Sequence, residues 1–204
     1  MQPYGSFKEL KENEIEGEDY RIHFREGKTG ILIMAPHAGD IEPATGELAD
    51  AIAGGEHSFY GFWGLKAKHN SVLHIDSTRF DEPLAVDLVK KSQTVLTIHG
   101  SKETQKIIFV GGRNTELKQI IQNGLQQLGI PLGESLRLPG IKADNICNRS
   151  RSGQGVQLEI SAGLRIEFFK GVSGAAPDHS TRHFVKLVDA LRAALNHYLM
   201  SARK

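Results

Sequence analysis

The chain has 204 residues, of which 39% are hydrophobic and 24% charged, a composition typical of a globular protein with a sizeable core. Its net charge of +1 provides no general attraction to nucleic acid or to an anionic membrane surface. The single cysteine, Cys147, excludes an internal disulfide, and no apolar run reaches the roughly 18 to 20 residues of a membrane span. Because the N-terminal segment lacks the apolar core of a signal peptide, we expect a cytoplasmic protein without nucleic-acid or membrane partners.

The hydrophobic patterns predict alternating strands and helices in one domain, residues 1–204, that begins with an N-terminal arm over residues 1–18. Helices are predicted after the N-cap Thr45, from Asp81 and after the N-cap Asn114, and a long last helix follows a cap at Asp178 or Ser180. This alternation predicts a three-layer α/β/α sandwich with a mixed, largely parallel, open twisted sheet. The predicted strands are Tyr20–Arg25, Gly30–Ala35, His57–Trp63, Ser71–Ile75, Gln93–His99, Lys106–Val110 and Gly155–Ile160.

Two of the predicted inner strands have a histidine at or just after their carboxyl end. His37 and Glu42 follow the first apolar strand, but such a pair arises about once by chance, and a turn histidine beside a solvated glutamate explains it equally well. His99 ends a second apolar strand, so both imidazoles are expected at the same edge of one parallel sheet. Two histidines, one carboxylate and an open fourth position are typical of catalytic zinc. We therefore predict one zinc ion per chain, held by His37, Glu42 and His99.

A general base for such a site is predicted on a third inner strand. Glu159 lies between Leu158 and Ile160, and a carboxylate in a half-buried strand is costly unless it is paired or functional. A zinc hydrolase needs a base that is not itself a ligand, and Glu159 is the candidate. The alternative is an outward-facing glutamate of an edge strand, because Gln157 and Glu159 share a face.

Four separated motifs resemble the phage-type poly-γ-glutamate hydrolase family, which is also labelled a phage-related replication protein. They are APHAGDIEP around His37, SVLHIDSTRFDEP over Ser71–Pro83, TIHG at His99, and NICNRSRSGQGVQLEISAGLR over Asn145–Arg165. The resemblance implies a prophage-related, zinc-dependent amidohydrolase with a carboxypeptidase-like fold. It also implies the same metal ligands and the same base that the strand ends suggest.

The implied substrate is a polyanion, since each γ-linked glutamate keeps a free α-carboxylate. Arginine binds carboxylates through two parallel hydrogen bonds, which makes Arg79, Arg149 and Arg165 candidate substrate-binding residues. Asn148 joins Arg149 in a pair similar to the one that holds the substrate carboxylate in the carboxypeptidase superfamily. Each arginine is equally well explained as an ordinary surface cation.

Other functions remain open at this stage. The QLEIS segment is also similar to N-formylglutamate amidohydrolases, so a small N-acyl acidic amino acid is an alternative substrate. A non-catalytic or nucleic-acid-binding phage accessory protein is an alternative of a different class, although the net charge disfavours it. We expect a monomer that leaves the cell, if at all, through phage-mediated lysis.

Overall fold

The structure is a computed structural model that describes residues 4–168 and 181–201. Its helices are α1 Phe7–Asn13, α2 Thr45–Ala53, α3 Pro83–Lys91, α4 Thr115–Gln127, α5 Ala162–Arg165 and α6 Arg182–Ser201. Its strands are β1 Tyr20–Arg25, β2 Ile31–Gly39, β3 Ser58–Gly64, β4 Thr94–Ser101, β5 Ile108–Gly112, β6 Leu132–Gly133 and β7 Val156–Ser161. Two short 3-10 helices, Asn70–Leu73 and Ile146–Asn148, lie in the connections.

The strands form one mixed seven-stranded sheet in the order β1-β3-β2-β4-β7-β5-β6. Strands β3, β2, β4 and β7 are parallel to one another, whereas β1 and β5 run antiparallel to their neighbours β3 and β7. The chain leaves β2 first for β3 on one side and then for β4 on the other, so a topological switch point lies at the carboxyl end of β2. Ligands bind at such points in open α/β sheets.

Helices cover both faces of the sheet and confirm the predicted three-layer α/β/α fold. On one face, alternate residues of the strands, such as Ile33 and Ile98, pack in one core with α2, α4 and α6. On the other face, Leu32, Met34 and Val95 pack in a second core with α1 and α3. The near-continuous burial of β2 and β4 is what a parallel sheet covered on both faces requires.

A bulge in β2 changes the face toward which His37 projects. The pairing of β2 with β3 shifts between Ala35, opposite Gly61, and Ala38, opposite Trp63, so β2 has one extra residue there. Ala35 and Ala38 both pack in the core with α2, α4 and α6, whereas His37 contacts the Ile75 carbonyl on the opposite face. Bulges commonly redirect a side chain in this way beside functional sites.

Most predicted elements are confirmed within one to four residues, but the strand predicted at Ser71–Ile75 is wrong. That segment contains the 3-10 helix, which starts after His69 in the left-handed region at φ 63°. The Asn70 side chain donates a hydrogen bond to the backbone carbonyl of Lys66 and accepts one from the backbone N–H of Lys66. These local hydrogen bonds take the place of a strand ladder. Leu73 still packs in the core, which explains the apolar pattern.

Helix boundaries show two further differences from the sequence. Thr45 was expected to cap α2, but it is the first helical residue, and Ala44 precedes it at φ 74°. The proposed caps of the last helix, Asp178 and Ser180, lie outside the described residues. Among the residues that are described, no helix has the length and apolarity needed to cross a membrane.

Candidate metal centre and active-site cleft

Three strands and one turn bring the predicted site residues together at the carboxyl edge of the sheet. His37 lies at the end of β2 and His99 at the end of β4, and the two strands are adjacent. Glu42 follows in the turn before α2, and Glu159 lies on β7 directly opposite His99. His37, Glu42 and His99 form the one group of side chains in the described part of the chain that could hold a metal ion.

The ligand atoms are spaced as the corners of a metal coordination shell. The Nδ1 atoms of His37 and His99 are 3.2 Å apart, and His37 Nδ1 is 3.2 Å from Glu42 Oε1. His99 Nδ1 is 3.6 Å from Glu42 Oε2. A tetrahedral zinc ion with bonds of about 2.1 Å separates its ligands by about 3.4 Å. The three side chains therefore lie close to the spacing that this cation requires, with each histidine nearest to a different oxygen of Glu42.

The hydrogen bonds around the trio point its acceptor atoms toward one another. His37 Nε2 lies 2.7 Å from the Ile75 carbonyl, which can only accept, so Nε2 carries the proton and Nδ1 presents a lone pair. That lone pair faces a carboxylate oxygen of Glu42, which is also an acceptor. A backbone donor, the Gly100 N–H, fixes the second oxygen of Glu42 at 2.8 Å. Converging acceptors without enough protons between them fit a bound cation, and the carbonyl bond is the usual second contact of a ligating histidine.

Burial and charge shift the pKa values of His37 and Glu42 toward the states that bind metal. The pKa of His99 is instead raised, because burial, which lowers it, is outweighed by the hydrogen bond with Glu42 and the charge of Glu159. Burial lowers the pKa of His37 to about 4, which keeps its imidazole neutral. Burial alone would raise the pKa of Glu42, but the neighbouring histidines outweigh burial and hold it well below its usual value. A neutral imidazole and an ionised carboxylate are the states in which these groups bind metal.

Glu159 is held by a chain of buried amides. Its Oε1 accepts a hydrogen bond of 2.8 Å from Gln157 Nε2, and Gln157 Oε1 accepts one of 3.0 Å from Asn145 Nδ2. Burial raises the pKa of Glu159 to about 7, against the opposing effect of His99. A carboxyl group with this pKa can both accept and return a proton near neutral pH, which suits a general base.

A cavity of about 220 Å³ opens over the ligands and Glu159. Segments 74–78 and 137–142 form its walls, and Asn145 and Gln157 lie at its floor. His74 stacks on His37 with ring centroids 3.8 Å apart, and its Nε2 is 3.6 Å from Glu42 Oε1. The sequence did not assign roles to His74, Asp76, Arg137, Lys142 or Gln157, all of which line this cavity.

The four predicted substrate-binding residues do not line the cavity, and three of them make other contacts. Asn148 is buried and donates to the carbonyls of Gly140 and Lys142, at 2.6 and 2.9 Å. Arg149 donates to the Phe80 carbonyl at 2.8 Å, and Arg79 is exposed. Their assignment to substrate stays a prediction, as does the assignment of Arg165.

Arg165 connects the three segments that bear the site. Its guanidinium donates to the carbonyls of Pro43, Ser101 and Ile160, at 2.6, 3.0 and 3.0 Å. Pro43 directly follows Glu42, Ile160 directly follows Glu159, and Ser101 ends the strand of His99. A side chain at Gly100 would lie 2.6 Å from the guanidinium carbon, so the glycine permits this close approach.

A mixed α/β sheet with a His–Glu–His trio and a separate buried glutamate at its strand ends is typical of the metal-dependent hydrolases. The chain belongs to the poly-gamma-glutamate hydrolase family, whose sequence model matches residues 4–190.

Similar curated proteins come from Bacillus subtilis strain 168. The SPbeta prophage-derived UPF0714 protein YoqZ is 41% identical over 169 residues, and the UPF0714 protein YmaC is 40% identical over 170 residues. Each match covers 81% of this chain, and the chain spans 61% of YoqZ and 72% of YmaC.

Solved structures give the same relationship. A bacteriophage poly-gamma-glutamate hydrolase superimposes with a TM-score of 0.92 at 36% identity, over 97% of this chain and 98% of that one. The zinc-free apo form of YndL gives a TM-score of 0.92 at 33% identity, over 97% of this chain and 99% of that one. N-formylglutamate amidohydrolase from Ralstonia eutropha JMP134 shares the fold alone, with a TM-score of 0.52 at 12% identity over 91% of this chain and 98% of that one.

Proposed function

We propose that this protein is a zinc-dependent hydrolase that cleaves the γ-glutamyl amide bonds of poly-γ-glutamate. The observation that supports it most directly is the convergence of three acceptor side chains, His37, Glu42 and His99, beside a buried glutamate in one cleft. Family membership supports the substrate class, and the zinc-free form of the relative YndL supports zinc as the cation. The two imidazoles and the carboxylate would hold one zinc ion per chain.

When bound, zinc supplies Lewis-acid chemistry that polarises a carbonyl oxygen and acidifies water. Glu159 takes the proton from the attacking water and returns it to the leaving amine, which its pKa of about 7 allows. Gln157 orients the carboxylate by donating to Oε1. The backbone N–H of Gly100 and the carbonyl of Ile75 keep Glu42 and His37 directed into the cleft.

Glu159→Gln provides the sharpest test of this function. The variant keeps the size and the polar character of the side chain but lacks the basic oxygen, so zinc content should stay at one per chain while hydrolysis is lost. The assay follows the molecular mass of poly-γ-glutamate by size-exclusion chromatography, with zinc measured by elemental analysis. Near-normal hydrolysis by this variant would remove Glu159 as the base.

The same assay separates the proposed substrate from its alternative. Wild-type protein that shortens the polymer supports the polymer hydrolase. An unchanged polymer together with release of free amine from a small N-acyl glutamate would instead favour the small-amide hydrolase. A salt-sensitive shift of DNA in a gel, with no hydrolysis of either substrate, would favour a nucleic-acid-binding protein.

We also propose that the protein acts as a monomer in the cytoplasm or after lysis of its host, without a nucleic-acid or membrane partner. The small net charge of +1 supports the absence of a polyanionic partner other than the substrate itself.

A further inference from the structure

A loop over residues 134–142, here called the cleft loop, contributes residues 137–142 to the lining of the cavity that holds His37, Glu42 and His99. Arg137, Leu138, Ile141 and Lys142 all line the cavity, and the side chains of this loop are largely exposed. Leu138 is 50% exposed and Ile141 is 58% exposed, although both border a polar cleft. Cations and aliphatic side chains of this loop are therefore available to a ligand that enters the cavity.

The charges that line the cavity show why the cations matter. Glu42, Asp76 and Glu159 contribute carboxyl groups to the cavity. Among its described lining residues, the one arginine is Arg137 and the one lysine is Lys142. A polymer with one carboxylate per residue would be repelled by these acids unless cations faced it. Arg137 and Lys142 line the same cavity as these acids and so meet this need.

Buried amides fix the position of the cleft loop. Asn148 Nδ2 donates to the carbonyls of Gly140 and Lys142, while Asn148 Oδ1 accepts from the Gly155 N–H. Gln157 Nε2, which holds the carboxylate of Glu159, also lies 3.4 Å from the Leu138 carbonyl. The loop is therefore anchored to the strand of the base, and its side chains are arranged before a ligand arrives.

We propose that Arg137 and Lys142 form the carboxylate-recognition subsite of this cleft, which binds α-carboxylates of the γ-glutamyl chain. Leu138 and Ile141 then pack against the two methylene groups that separate each α-carbon from the γ-amide. Charge and aliphatic surface alternate along a γ-linked chain, and the cleft loop presents the same two features. This inference rests on the proposed function and specifies which residues select its substrate.

Binding of penta-γ-glutamate to zinc-loaded Glu159→Gln protein, measured by isothermal titration calorimetry, tests the subsite without turnover. Arg137→Gln and Lys142→Gln should each raise the dissociation constant by about three- to tenfold, since each removes one partly solvated charge-assisted contact. The same pentamer with its α-carboxylates converted to amides should bind all variants alike. The dependence of binding on ionic strength should also be weaker in both variants.

Arg113→Gln is the matched control, because Arg113 is exposed and follows β5 at the opposite edge of the sheet. It should leave binding unchanged. Dissociation constants that stay within about twofold for Arg137→Gln and Lys142→Gln, or that rise equally for the amidated pentamer, would overturn the subsite. Polymer hydrolysis by the wild-type protein is scored separately, so loss of the proposed activity is distinguishable from failure of the subsite.

Discussion

Replacing Arg165 by methionine removes three hydrogen bonds, at 2.6, 3.0 and 3.0 Å, that join the segments of Glu42, His99 and Glu159. The bond to the Pro43 carbonyl is exposed and contributes little, whereas the other two are partly buried and contribute about 1 to 1.5 kcal/mol each. The free energy of unfolding of the zinc-free protein should therefore fall by about 2 to 3 kcal/mol.

Zinc binding should weaken as well, by about ten- to a hundredfold, because groups that orient metal ligands have effects of this size. Arg165→Lys should recover only part of the loss, since one ammonium group does not reproduce a planar fork that reaches three carbonyls. Urea unfolding and zinc competition with a chromophoric chelator measure the two quantities. Arg113→Met is the control, because Arg113 is exposed at the opposite edge of the sheet.

The opposite pattern would refute this reasoning. Unchanged stability and zinc affinity, together with a raised KM for poly-γ-glutamate, would show that Arg165 binds substrate, as its sequence motif predicted.

Three further predictions concern the ligands, a strained turn and a buried histidine. His99→Ala should lose most of its zinc in elemental analysis, and a full equivalent of zinc in the variant would exclude His99 as a ligand. Ala44 adopts φ 74°, a left-handed conformation that strains alanine but not glycine. Ala44→Gly should therefore raise the free energy of unfolding by about 0.5 to 1 kcal/mol in urea titrations, and a decrease would show that Ala44 is not strained. Burial lowers the pKa of His57 below its usual 6.5, so the unfolded chain binds more protons and stability falls as the pH drops through about 6.5. The free energy of unfolding should therefore differ less between about pH 7.5 and pH 5.5 in His57→Gln than in the wild-type protein. An unchanged difference would show that groups other than His57 cause the pH dependence.

The fold and the convergence of His37 with His99 could be predicted from the sequence because both depend on local patterns. Apolar runs of β2 and β4 are long, uninterrupted and buried on both faces, so they read as inner strands. Since parallel inner strands place their carboxyl ends at one edge, the two histidines at those ends were expected to meet. The structure places their Nδ1 atoms 3.2 Å apart.

The residues that form the wall of the cleft could not be predicted from the sequence in the same way. His74 and Asp76 lie in a segment whose apolar residues suggested a strand, but a left-handed residue and the Asn70 hydrogen bonds turn it into a 3-10 helix and loop. Arg137 and Lys142 lie on a long irregular loop with no periodic pattern. Their proximity to Glu159 depends on contacts of Asn148 and Gln157 that join distant parts of the chain.

Asn148 makes contacts that its motif did not indicate. The sequence pairs it with Arg149 as a candidate carboxylate-binding group, and this stays a prediction. In the structure its side chain also donates to the carbonyl of Lys142, a residue that lines the cavity. The sequence indicates for Gln157 only that it shares a strand face with Glu159. That shared face places its amide 2.8 Å from the carboxylate that it orients.

The central claim is that His37, Glu42 and His99 bind one catalytic zinc ion. Anomalous diffraction at the zinc edge, from crystals of zinc-loaded protein, tests it most directly. We predict one zinc per chain at about 2.0 to 2.2 Å from His37 Nδ1, His99 Nδ1 and a carboxylate oxygen of Glu42. An ion bound elsewhere, or no anomalous peak between these three side chains at saturating zinc, would contradict the account.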